Sequence, residues 1–159
     1  MIFLKKILVT TDLSPFSLAA LEYAISFGML YTSKLYLLHV CEGKEGHQGK
    51  EAAGGKSDDD ARTALDEFVR MNVPGQTRVT AVVRRGVPAE EIKRFAQEEG
   101  IDLIVMATHG RTGLRHMVMG SVAERVVRLC SAPVLTVKPR PFREVMIQNE
   151  DVERDLHLR

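Results

Sequence analysis

Cysteine is scarce in this chain. Its two residues, Cys41 and Cys130, lie far apart and match no metal-binding or redox spacing. Two reduced, partly buried thiols are expected, and the cytoplasm is the natural compartment. Charge of one sign is missing too: 22 Lys plus Arg nearly cancel 21 Asp plus Glu. With no overall field, neither nucleic acid nor a membrane surface is an expected partner, and any phosphate affinity must come from a local arrangement of groups. No run approaches the roughly 20 apolar residues of a membrane span. At the start, Ile2-Phe3-Leu4 precede Lys5-Lys6, the reverse of a secretory leader. The phosphate-loop pattern Gly-x4-Gly-Lys-Ser/Thr is also absent, which argues against that class of nucleotidase.

Five short apolar runs are present: Ile7–Val9, Leu35–Val40, Val79–Val83, Leu103–Ala107 and Val134–Val137. They are continuous rather than alternating, the pattern of strands buried on both faces of a parallel sheet. Helical spacing fills the intervals. Pro15 to Tyr31 carries Leu18, Leu21, Ala24, Ile25 and Leu30, with Ser14 as the expected N-cap and Pro15 at the first helical position. Ser57 to Asn72 opens on Asp58-Asp59-Asp60, suited to the positive end of a helix dipole. Pro88 to Glu99 carries Ile92, Phe95 and Ala96 ahead of Gly100, a natural stop. Ser121 to Leu129 carries Val122, Val126 and Leu129. Strand and helix alternating to a fifth strand predicts one doubly wound α/β domain over residues 1–140, Rossmann-like, with helices on both faces of a parallel sheet. The order 3-2-1-4-5 is favoured because the functional signals gather after strands one and four.

Residues 42–56 break the pattern. This stretch holds five of the twelve glycines and no Val, Ile, Leu or Phe, and is expected to form a mobile surface insertion, a lid over a ligand being the sharper alternative. Residues 141–159 form a charged tail with scattered Val, Met, Ile and Leu, suited to a short helix or to partner contacts.

The informative stretch lies between strand four and the last helix: Met106-Ala107-Thr108-His109-Gly110-Arg111-Thr112-Gly113, then Gly120-Ser121-Val122-Ala123. The connection is long for a strand-to-helix loop, which usually takes about 2–6 residues. Its glycines let backbone approach a ligand. Ser121 and Glu124 have the spacing of a capping box, marking the helix start. Amides there are a ready anion site, and Arg111 and Arg115 are placed to add charge-assisted bonds. Taken alone, the same residues also describe a flexible loop with an ordinary cap. A second signal, Thr10-Thr11-Asp12, ends strand one. Ligands of open α/β sheets sit where the winding reverses, so Asp12 is either a base- or ribose-binding carboxylate or a turn former ahead of Ser14-Pro15. Val40, ending strand two, would bring backbone to the same crevice.

Together these residues resemble the universal stress protein family from Lys6 to Lys138. Ile7-Leu8-Val9-Thr10-Thr11-Asp12-Leu13-Ser14 is similar to the family's strand-Thr-Asp-x-Ser opening, and Ala132 to Lys138 to its closing strand. ATP-binding members carry Gly-x2-Gly-x9-Gly-Ser/Thr; here Ala107, Gly110, Gly120 and Ser121 occupy that register, with alanine at the first glycine. The resemblance implies that Thr10, Asp12 and Val40 hold the adenosine end of ATP, AMP or ADP, that Ala107 to Gly113 wrap ribose and phosphates, and that Gly120 to Ala123 cradle the terminal phosphates. It implies Mg or Mn held mainly by phosphate oxygens, and a homodimer joined through Val134 to Val137. No catalytic residue is assigned. His109 and His116 suit solvent or helix packing better than a base, and slow ATP hydrolysis at most is expected. A stress-associated interaction protein without nucleotide is the alternative.

Overall fold

The structure, a computed structural model, describes residues 3–42, 58–108 and 119–138. In chain order its elements are β1 (Lys6–Thr11), a single 3-10 turn (Pro15–Ser17), α1 (Leu18–Tyr31), β2 (Lys34–Glu42), α2 (Asp58–Asn72), β3 (Val79–Gly86), α3 (Pro88–Glu99), β4 (Leu103–Ala107), α4 (Ser121–Leu129) and β5 (Val134–Val137). Every strand pairing is parallel, and the order is β3-β2-β1-β4-β5. The doubly wound sheet expected from the sequence is therefore the fold.

The continuous apolar runs are explained by two cores, one on each face. Ile7, Val9, Leu35, Leu37 and Val105 pack against Leu21 and Ala24 of α1 and Leu65 of α2. Leu8, Tyr36, Leu38, Ile104 and Met106 pack against Ile92 and Phe95 of α3 and Ala123 and Val126 of α4. Full burial of such a side chain contributes about 1.5–3 kcal/mol, so adjacent strand residues stabilise opposite layers. Helix α3 stops as read: Gly100 sits at φ 62°, a left-handed cap that glycine takes without a Cβ penalty.

Three boundaries or faces differ from the sequence reading. Strand β2 runs past Val40 to Glu42, which pairs with Gly86 of β3, so Glu42 belongs to the sheet and not to the 42–56 insertion. Residues 43–56 of that expected insertion, and the tail 141–159, lie outside the described residues. On α1 the inward stripe is Ala20, Leu21, Ala24 and Gly28, while Leu30 points to solvent. Small residues at steps of three and four let this helix lie close on the sheet, and an ideal Cβ on Gly28 would come within 2.8 Å of Leu35. Leu129 on α4 is likewise exposed, with Val126 carrying the burial.

Candidate functional site

Parallel pairing puts all five carboxyl strand ends on one edge. Strand β1 has β2 on one side and β4 on the other, so the winding reverses between β1 and β4. Ile7, Leu8 and Val9 lie beside Leu103, Ile104 and Val105, which brings Thr10-Thr11-Asp12 and Met106-Ala107-Thr108 out at the same place. The carboxyl edge at this reversal is where open α/β sheets bind ligands.

Hydrogen bonds fix the Asp12 side of the crevice. Ser14 donates to Asp12 Oδ1 through its backbone N–H, at 3.0 Å, and through its hydroxyl. Thr11 Oγ1 accepts the Leu13 N–H at 2.9 Å and lies 2.7 Å from Ser17 Oγ. The Ser17 hydroxyl also lies 2.8 Å from the Ser14 carbonyl oxygen. This net bends the chain so tightly that Leu13 takes φ 64°, a left-handed conformation costly for a side chain of its size. Ser14 caps the 3-10 turn by position but makes no side-chain cap bond, because its hydroxyl is committed to Asp12. From β2, His39 Nδ1 is 2.9 Å from the Thr11 carbonyl oxygen, which only accepts, so Nδ1 carries the proton. His39 is a contributor to this edge that sequence reading left as an ordinary strand residue. Its contact depends on the Thr11–His39 register, which no local pattern encodes.

The opposite wall is the joint between β4 and α4. Thr108 is buried; its N–H donates to the Val137 carbonyl at 2.8 Å, and its carbonyl accepts the Gly120 N–H at 2.6 Å. The beginning of α4 is thereby tied directly to the end of β4. Gly120, at φ −70° and ψ 155°, is the N-cap, and its carbonyl accepts the Glu124 N–H at 3.0 Å. The expected capping box is not formed. Ser121 is the first helical residue rather than the cap, and its exposed hydroxyl makes no cap bond. The early amides of the helix, Ser121 to Ala123, have no intrahelical acceptor and carry the positive end of its dipole.

Ala107 stands in extended β4 opposite Val137, not at positive φ, and packs with the α1-side core. Its extra methyl therefore faces protein. Val40 contributes β2 backbone one residue beyond the last β1 pairing. His109, Gly110, Arg111, Thr112 and Gly113 lie outside the described residues. Among the described residues, no group of three or more His, Cys, Asp or Glu is arranged to hold a metal ion. Two clefts lie away from this crevice: one of about 520 Å³ at the amino edge, lined in part by Lys93, Asp102 and Cys130, and one of about 300 Å³ between α1 and β5. Burial raises the Cys130 thiol pKa, which leaves it a poor nucleophile.

The class defined so far is a doubly wound α/β protein whose switch-point edge gathers the ends of β1 and β4 and the start of α4. Residues 4–138 match the universal stress protein family model, and the chain belongs to that family. It is similar to universal stress protein MJ0531 of Methanocaldococcus jannaschii, at 34% identity over 88% of this chain and 85% of that one. It is also similar to universal stress protein MJ0577 of the same organism, at 30% identity over 84% and 94% of the two chains. The solved structure of MJ0577 superposes with a TM-score of 0.76, at 31% identity over 88% of this chain and 99% of that one. A universal stress protein solved in complex with cAMP shares the fold, with a TM-score of 0.68, at 23% identity over 86% and 99%. Among the described residues, no helix is long and apolar enough to cross a membrane.

Proposed function

We propose that the crevice between β1 and β4 binds an adenine nucleotide, ATP foremost, and that the protein acts in the cytoplasm as a nucleotide-responsive stress-regulatory dimer. The observation that supports this reading is the Gly120 N–H to Thr108 carbonyl bond, which ties the start of α4 to the end of β4 at the edge where β1 also ends. Phosphates at Ser121 to Ala123 would meet unpaired donors and a positive dipole end. Asp12 would accept from the base or ribose while keeping its bond to Ser14. Thr10, Thr11 and Val40 would line the adenosine end, with Met106 to Gly113 around ribose and phosphates. No cluster of described carboxylates offers a cage, so Mg or Mn would be held through the phosphates, neutralising their charge. The cAMP complex of one universal stress protein and the dAMP complex of another support the ligand class. Joining through β5 is supported by its place at the sheet edge, with Val134 to Thr136 half-exposed.

Gly120→Val tests the site. Valine adopts φ −70° and ψ 155° readily, so the helix start survives while a branched side chain obstructs the phosphates. ATP with Mg at 100 times its dissociation constant stabilises by about 2.7 kcal/mol. For a chain of this size, that raises Tm by roughly 5–10 °C. The unsubstituted protein is expected to show that rise and Gly120→Val to lose it. A rise of equal size in both would remove Gly120 from the site. No rise in either would favour the interaction protein that binds no nucleotide.

A further inference from the structure

Helix α1 is apolar around most of its circumference, with Glu22 and Ser26 the polar residues of its outer face. Its sequence, Leu-Ala-Ala-Leu-Glu-Tyr-Ala-Ile-Ser-Phe-Gly-Met-Leu-Tyr, carries one charged side chain, Glu22. A helix of that composition is ordinarily covered on both sides. The core fully buries Ala20, Leu21, Ala24 and Gly28, and Leu18, Ala19, Ile25 and Phe27 lie half-buried against it. On the other side Tyr23 is 47% exposed, Met29 66% and Leu30 73%. Tyr23, Phe27 and Leu30 form a ridge at steps of four and three, with the first two ring centroids 6.4 Å apart. Between this ridge and β5 lies the groove of about 300 Å³, lined by Ala19, Glu22, Tyr23, Leu135 and Val137 and bounded by Lys138.

The chain leaves the described structure at the lip of that groove. Residues 139–159 begin with Pro139-Arg140-Pro141-Phe142-Arg143-Glu144-Val145-Met146-Ile147, in which the first charges are basic and Phe142, Val145 and Met146 have helical spacing. Four extended residues reach about 14 Å, and Tyr23 to Leu30 span about 10 Å of helix axis. Helix α1 descends from the carboxyl edge of the sheet to the amino edge, so a segment descending from Lys138 runs beside it. We propose that Phe142–Ile147 covers the outer face of α1 in its own chain, seated in the α1–β5 groove, with Arg140 or Arg143 meeting the lone Glu22. The tail is then an integral strap over the first crossover helix. This inference is independent of the nucleotide reading.

The chain contains no tryptophan, so Phe142→Trp in the full-length protein supplies a sole indole probe. Blue-shifted emission is expected, with acrylamide quenching several-fold weaker than in a synthetic 139–159 peptide carrying the same substitution. Adding Leu30→Asp, or separately Tyr23→Ser, should return both signals to the peptide values. Both positions face solvent, so the fold tolerates these changes, and an unaltered circular dichroism spectrum checks this. Emission and quenching equal to the peptide's in the full chain would overturn the proposal. So would shielding that survives both α1 substitutions, and shielding lost on dilution would assign the face to a second copy instead.

Discussion

Asp12 combines two roles that single substitutions separate. Its Oδ1 accepts two bonds from Ser14 and so shapes the turn, and in the proposed site its charge would select the base or ribose. Asparagine retains an acceptor oxygen and loses the charge. Asp12→Asn is therefore expected to keep stability within about 0.5 kcal/mol while narrowing the preference for ATP over GTP, read by paired titrations. Asp12→Ala should also lose about 1 kcal/mol through the unmade turn bonds, seen in urea unfolding. Unchanged discrimination in both variants would remove Asp12 from the ligand's surroundings. Asp12 was visible in the sequence because a strand ends there and Ser14-Pro15 opens the next element. His39 was not, since its bond to the Thr11 carbonyl exists only through strand register. Ser121 was assigned the cap on a spacing that Gly120 takes over, because the Gly120 N–H is already held by Thr108.

At the scale of elements, strands were more legible than helix faces. A run such as Leu103–Ala107 is buried on both sides, so composition alone marks it, and its bounds in the structure agree. Helix α1 is different: with apolar residues on most sides, periodicity has little to select, so the sequence reading places Leu21 and Ala24 on the inward face but misses Ala20 and Gly28 and adds the exposed Leu30. Gly28→Ala tests that packing. Its methyl would meet Leu35 at 2.8 Å inside a filled core, which costs about 1–3 kcal/mol and outweighs a gain of up to about 1 kcal/mol in helix propensity. Net destabilisation in denaturant is expected, and a stabilised variant would contradict the close approach. The end of α3 carries a pH dependence. The Tyr36 hydroxyl, 2.6 Å from Glu99, holds that carboxyl below its ordinary range, with Lys6, Lys34 and Arg84 adding in the same direction. A lowered folded-state pKa contributes stability above the unfolded value, near 4.3, that is lost as pH falls through the folded one. Glu99→Gln should therefore be less stable than the unsubstituted chain at neutral pH, with the gap closing in acid below about pH 4. A gap independent of pH would refute the assignment.

For the whole molecule, the topology makes the site. Asp12 and Thr108, nearly a hundred positions apart, come out at the same sheet edge because β1 and β4 are neighbours and the winding reverses between them. Five strands alternating with four helices make the doubly wound class readable from the sequence, whereas the strand order rests on functional signals and requires the pairing to establish it. The loop carrying His109 to Gly113 lies outside the described residues, so the account rests on its two anchored walls. An amide-resolved NMR titration of the full-length protein with MgATP tests it most directly. The account predicts that Asp12-Leu13 and Ser121-Val122-Ala123 shift together along one binding curve. Movement of the α4 amides alone, or two curves with separate midpoints, would contradict a single ligand spanning the crevice.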